Sequence, residues 1–263
     1  MRKKIVIQGI NYDSNSSFMR GPAKAPDIIR QAFYSDSINA YTELGINVTQ
    51  SEQLEFKDPI KPTDFYSDIF QSVDNIISDG KSLITLGGDH SISYPIIAAH
   101  AEHFDNINIL QIDAHSDLYE DFEGNLHSHA SPFARIMENK LAARLIQVGI
   151  RCLTPHQLEQ SVKHGVEVVE MKDFHESKLP DIDGPLYISL DLDGLDPAFA
   201  PGVSHHEPGG LTTREVLSII HNIDVPVIGA DIVEYNPIRD HVGITAAVAA
   251  KFLKEIAGKM IKN

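Results

Sequence analysis

The chain has 263 residues, 42% of them hydrophobic, enough for a continuous core in one soluble α/β domain spanning residues 1–263. A formal charge of −15 excludes a general basic surface for nucleic acid and suits a cationic substrate or metal ions. One cysteine, Cys152, and an amino terminus, MRKKIVIQGINYD, that runs into a strand point to the cytoplasm, and no apolar run approaches the ~18 residues that span a bilayer.

In chain order, the β-branched residues of Lys4 to Ile10 predict a strand. The turn-rich NYDSNSSFMRGPAKAP follows, then DIIRQAF after Pro26 as a short helix, and Tyr41 to Phe56 as a strand or extended connector. Thr63 is placed as a helix cap. Phe65, Ile69, Val73, Ile76 and Ile77 recur with helical spacing until Gly80 closes the element. Strands are then expected at Ser82 to Leu86, Ile107 to Ile112, Leu145 to Ile150, Val166 to Val169, Leu186 to Leu190 and Val225 to Gly229. Helices are expected at Ser91 to His103, Pro132 to Glu138, Pro155 to His164, Thr213 to His221 and from Gly243 onward. Apolar strands alternating with helices imply a three-layer α/β/α fold with a mainly parallel central sheet.

The polar motifs each fall just after a predicted strand. LQIDAHSD delivers Asp113, His115 and Asp117, and in an extended or gently curving segment alternate residues point the same way, so the three converge. GGDHSIS places His90 at a helix start after two glycines that permit a tight turn. DLDGLDPAFAPG supplies Asp191, Asp193 and Asp196, and ADIVEYNP supplies Asp231 and Glu234. In a parallel sheet these carboxyl ends share one edge, where ligands of open α/β folds bind.

Any one of these residues alone would more often be a cap, a turn former or a solvated side chain; their combination points to a metal centre. His90, His115, Asp113, Asp117, Asp191 and Asp193 are too many ligands for one magnesium and too oxygen-rich for a structural zinc. Two metals sharing carboxylates fit, and mixed carboxylate and imidazole donors favour an ion such as manganese, with iron, cobalt and nickel left open by ligand type. Four aspartates balance two divalent cations, and a bridging hydroxide can form because coordination lowers the pKa of water from 15.7 to roughly 7 to 9. Asp89, Asp196 and Asp231 are either carboxylates that orient ligand side chains or turn formers. His100, His103, His164, His175 and His221 are expected at surface or boundary positions. His205 and His206, in GVSHHEPGG, are expected in an ordered loop at the active edge with structural roles.

Together GGDHS, DAHSD, SLDLDGLDPAFAPG and DIVEYNP resemble the arginase and agmatinase family of manganese ureohydrolases, and the likeness runs from GPAKAPDIIR to TAAVAAKFLKEIA. The resemblance implies the arginase fold, two Mn2+ per chain, a small-molecule guanidino substrate split to urea and an amine, and a homo-oligomer, trimer or hexamer. It assigns one manganese to His90, Asp113, Asp117 and Asp191, and the other to Asp113, His115, Asp191 and Asp193, with Asp113 and Asp191 bridging. His129, in SHASPFARI, matches the family's HxxP histidine where His127 does not, and Ala130 stands where a glycine is common. His129, Glu234 and the ligand Asp117 are then expected to carry the reaction, with Glu234 accepting hydrogen bonds from the guanidinium and His129 passing a proton to the leaving amine.

For the substrate tail, Asn125 is the expected contact in the loop LYEDFEGNLHS. Thr154 stands where animal-type arginases place an aspartate. Glu120, Asp121 and Glu123 would repel a substrate carboxylate if they faced the pocket, which favours agmatine as substrate. FEGNLHSHAS and DPAFAPGVSHHEPGG also look like plant-type arginases, so arginine is the close alternative, with guanidinobutyrate behind it. A one-zinc deacylase is disfavoured by DAHSD with DLDGLD, and a catalytically silent binding protein by the complete ligand set.

Overall fold

Runs such as Ser82–Leu86 and Val227–Val233 are buried at every position, as strands covered by helices on both faces must be. In the computed structural model, which describes residues 4–175 and 179–262, eight such strands pair in parallel: β1 (Ile5–Gly9), β2 (Leu54–Phe56), β3 (Ser82–Leu86), β4 (Asn108–Ile112), β5 (Arg144–Ile150), β6 (Glu167–Glu170), β7 (Leu186–Asp191) and β8 (Val227–Val233). Their order is β2-β1-β3-β8-β7-β4-β5-β6. The helices are α1 (Ala25–Phe33), α2 (Phe65–Ser78), α3 (Ser93–Ala101), α4 (Pro132–Glu138), α5 (Pro155–His164), α6 (Thr213–His221) and α7 (Ile244–Lys262). Side chains alternate along each strand, so Ile5 and Ile7 pack with Phe33, Leu217 and Phe252 of α1, α6 and α7. Val6 points the other way, to Ile69, Ile96 and Phe133 of α2, α3 and α4. These two cores make the expected α/β/α layers.

The four strands that carry the polar motifs are neighbours, in the order β3-β8-β7-β4. Ile232 of β8 lies opposite both Leu86 of β3 and Leu190 of β7, and Leu190 lies opposite Ile112 of β4. That shared row brings their carboxyl ends to one edge, which is why motifs far apart in sequence meet.

Several expected boundaries move. Only Leu54–Phe56 of the Tyr41 to Phe56 stretch is a strand, and the remainder is connector tied by a Tyr41 to Asn47 bridge. The cap of α2 is Asp64, whose carboxylate accepts from Ser67 N, while Thr63 bonds Asp68. The segment beginning at Ser91 starts as a 3-10 turn, His90–Ile92, before α3. The strand expected at Val225 to Gly229 runs Val227–Val233, so Asp231 lies inside it and not in the loop beyond. His100, expected near the surface, is fully buried, with Nδ1 2.9 Å from Ile96 O and its ring edge-on to Tyr187. Among the described residues no helix is long and apolar enough to cross a membrane.

Gly88, just past β3, fixes how the His90 turn leaves the sheet. A Cβ there would lie 1.6 Å from the carbonyl oxygen of Tyr12, which also accepts from Asp89 N at 3.0 Å. Both groups are backbone and neither can rotate away. Gly88→Ala should therefore cost about 3 kcal/mol, read as a lowered Tm together with weakened metal binding; an unchanged Tm would contradict this packing.

Candidate metal centre

The His90 turn is capped by Asp89, which accepts from Ser91 N and Ser91 Oγ. His90 Nε2 is 2.9 Å from Ser189 Oγ, and Ser189 donates its one hydroxyl hydrogen to Asp231 Oδ1 at 2.7 Å. Ser189 must therefore accept from His90 Nε2–H, which turns Nδ1 toward the carboxylates as the nitrogen able to coordinate a metal on losing its proton. The other oxygen of Asp231 accepts from Tyr187 OH and Ser93 Oγ, both at 2.8 Å. Asp231 is thus the ligand-orienting carboxylate among the three candidates.

His90 Nδ1 has no hydrogen-bond partner, yet Asp113 Oδ2 and Asp117 Oδ2 lie 3.1 Å away and Asp191 Oδ2 3.2 Å. Across the shared Asp113, His115 Nδ1 is 3.1 Å from Asp193 Oδ2 and 3.6 Å from Asp113 Oδ1. His90, Asp113 and Asp117 form one cluster able to hold a cation, and Asp113, His115 and Asp193 form a second. Asp191 joins them, with Oδ2 toward His90 and Oδ1 accepting from Asp193 N at 2.8 Å.

The DAHSD segment converges through a bend at Ala114 and His115, the sharper end of the extended or gently curving path expected. Asp113 Oδ1 accepts from His115 N at 2.6 Å, and Asp117 adopts a left-handed φ of 50°. Such a backbone in a non-glycine residue costs roughly 1 to 3 kcal/mol, offset by surrounding contacts.

The ionisation equilibria express one demand. Burial, then repulsion from Asp193 and Asp113, pushes Asp191 well above the carboxylate range, and burial, then Asp113, raises Asp117 to about 6. Asp113 is held low, because the two imidazoles beside it outweigh its burial penalty. Burial pulls His90 and His115 down, but the facing carboxylates outweigh it and push both up. Too many carboxylates share too little positive charge, and two divalent cations would supply what is missing. The nitrogen and oxygen donors fit a manganese-class ion.

Above this centre lies a cavity of about 180 Å3 whose wall includes His115, Asp117, Asp191, Asp193, His129 and Glu234. Glu234 follows β8 with a left-handed φ of 62°. Its Oε1 accepts from His90 N and lies 2.9 Å from His129 Nδ1, while Oε2 is buried without a hydrogen-bond partner. Glu234 opposes its burial penalty by attraction to His129, which is raised to about 9 because that attraction outweighs its own burial. His129 Nε2 touches Ser17 Oγ at 2.8 Å.

Other expected residues stand outside the site. Asp89 accepts from Asn15 N at 2.9 Å and from Ser16 Oγ at 3.4 Å, besides the bonds within its own turn.

 It therefore shapes the backbone that presents His90. Asp196 accepts from Ala198 N, Gly209 N and Gly210 N, so it is a turn former and not a ligand-orienting group. Asn125 is exposed, closing its own turn through His127 N and reaching Asn15, and it is absent from the cavity wall. His127 is likewise exposed, packed on Phe65 and Tyr94.

The wall also holds residues to which sequence reasoning gave no chemical role: Ser17, Tyr119, Phe122, Cys152, Gln157 and His205. His205 packs its ring 5.4 Å from that of His129 and 5.8 Å from that of His115. His206 turns away, to Pro201 O and Arg239. The paired histidines of GVSHHEPGG were the available signal, and nothing in their spacing tells which one faces inward.

A buried centre of carboxylates and imidazoles on the carboxyl edge of a parallel α/β sheet defines a protein built to hold metal. The chain belongs to the arginase family of ureohydrolases, whose model matches residues 3–258. It is 46% identical to "Arginase 1, mitochondrial" of Arabidopsis thaliana, over 97% of this chain and 81% of that one. It is 32% identical to "N(1)-aminopropylagmatine ureohydrolase" of Thermus thermophilus, over 93% and 87%. The solved arginase from Medicago truncatula superposes with a TM-score of 0.91 at 42% identity, covering 98% of this chain and 87% of that one.

The His90–Ser189–Asp231 chain generates a prediction. Ser189→Ala should weaken manganese binding 10- to 100-fold, as loss of a ligand-orienting partner does, with an unchanged far-UV circular dichroism spectrum. Equilibrium dialysis against manganese measures this, and wild-type affinity in the variant would contradict the assigned orientation of His90.

Proposed function

We propose that this chain hydrolyses L-arginine to L-ornithine and urea, with two manganese ions as cofactor. His90, Asp113, Asp117 and Asp191 would hold one ion, and Asp113, His115, Asp191 and Asp193 the other. When bound, the ions supply Lewis acidity and make hydroxide available at neutral pH. Glu234 Oε2, buried and without a partner, suits the planar guanidinium, whose N–H groups it would accept. His129, beside it, would give the departing amine its proton, and the exposed Ser17 at Nε2 marks the side from which that proton is replaced. Water adds to the guanidinium carbon, the C–N bond to the substrate chain breaks, and urea and the protonated amine leave.

The observation that carries arginine over agmatine is the orientation of Gln157. This residue lines the cavity, and its Oε1 accepts from Thr154 N at 3.1 Å within the capping box of α5. A backbone N–H can only donate, so the amide oxygen is committed there and the NH2 group is the one left to donate to a ligand. A donor suits the carboxylate of arginine and not the ammonium of a decarboxylated substrate. The acidic residues that favoured agmatine stand elsewhere: Glu120 is exposed and pairs with Lys163 at 2.8 Å, Asp121 accepts from Gly124 N, and neither these nor Glu123 lies on the cavity wall. The arginase names of the Arabidopsis and Medicago relatives support the same choice. Arginase-family enzymes are typically oligomeric, and a homo-oligomer is part of this proposal.

Urea release by manganese-loaded protein, compared for L-arginine and agmatine, tests the reading. The kcat/KM for arginine should exceed that for agmatine at least ~10-fold, the worth of about 1.4 kcal/mol; preference for agmatine would overturn it. Gln157→Glu keeps the capping oxygen and replaces the donor by a charge. It should raise KM for arginine at least ~10-fold, from the same order of interaction, while leaving agmatine hydrolysis equal or improved. Equal loss with both substrates would show that Gln157 does not read the carboxylate.

A further inference from the structure

A second convergence of metal-binding donors lies beside the centre: His115, Cys152 and Glu207 each offer one ligand atom within 4.8 Å of the other two. Cys152 and His115 are both on the cavity wall. The backbone that carries this trio is pinned by Arg151, whose guanidinium donates to Glu207 O at 2.6 and 2.8 Å and to Asp193 O at 2.8 Å. The Glu207 loop, the Cys152 segment and the turn after β7 are therefore held together by one cation. His115 is the open ligand of the centre, its side chain 26% accessible where that of His90 is 1%. Its Nδ1 faces Asp193 and Asp113, and the ring carries a second nitrogen.

The donor chemistry separates the two places. All six residues of the centre offer nitrogen or oxygen, whereas this trio adds a sulfur, which selects softer ions such as zinc or cadmium over manganese. We propose that Cys152, Glu207 and His115 form a site for one thiophilic divalent cation of the zinc class, and that filling it stops turnover. Three protein ligands leave a fourth position for water. As the sulfur–metal bond forms, Cys152 gives its thiol proton to solvent. The bound cation occupies the cavity wall and takes the second ring nitrogen of His115, which gives its proton to solvent as the thiol does, so substrate access and the second half of the centre are affected together while Nδ1 still faces Asp193 and Asp113.

Cys152 is the only cysteine in the chain, so a thiol reagent reports on it alone. Manganese-loaded protein given one equivalent of zinc chloride should react with Ellman's reagent at least ~10-fold more slowly, as expected of a thiolate engaged by metal, and should hold one zinc with its two manganese retained. Cys152→Ser should bind zinc at least ~10-fold more weakly, by loss of the soft ligand. Its activity, scored against its own zinc-free rate, should resist zinc over the same range. Glu207→Gln should lie between the two. An unprotected thiol, zinc bound as tightly by Cys152→Ser, or zinc taken up only by release of manganese would each overturn the proposal. Thiol protection and metal counts need no substrate, so failure of the arginine reading would leave this result standing or falling by itself.

Discussion

The structure depends on a charge imbalance. Asp113, Asp117, Asp191 and Asp193 are buried within reach of two imidazoles, and Ser189 orients one of these so that its Nδ1 faces three carboxylates. Buried carboxylates without compensating charge are costly, and protonation alone relieves the strain only by neutralising the ligands. Divalent cations meet the demand without that loss. The fold supplies the means of crowding these groups: four adjacent parallel strands end in one row, and each delivers its polar residue to the same edge.

The layers around the centre follow from it. Asp231 sits within β8, a place where a carboxylate is tolerated because Tyr187, Ser189 and Ser93 donate to it. It fixes Ser189, Ser189 fixes His90, and the backbone of His90 in turn donates to Glu234. The metal-facing cluster and the cavity carboxylate Glu234 are thus joined through one residue. Farther out, the α5 cap holds Gln157 Oε1, so a device that stabilises a helix also fixes the orientation of an amide on the cavity wall.

Much of this was legible in the sequence. Apolar strands ending in DAHSD, DLDGLD and GGDH announce a parallel sheet with a metal centre on one edge, because a parallel sheet leaves no other place for those residues. Asp231 was misplaced by four residues of strand, since a charge ordinarily ends a buried strand and its three donors come from distant segments. Asn125 was assigned to the substrate tail, and Glu120, Asp121 and Glu123 were weighed as pocket residues, by proximity to DAHSD, but loop direction is set by tertiary contacts such as the Glu120–Lys163 pair. His205 was expected at the active edge but given a structural role, and Gln157 was passed over because it lies next to no motif; only the folded chain brings both to the cavity wall.

The centre is tested most directly by anomalous diffraction at the manganese edge from crystals of manganese-loaded protein. The account predicts two manganese peaks, one beside His90 and one beside His115, with Asp113 between them. A single peak, or manganese lodged away from these six residues, would contradict it.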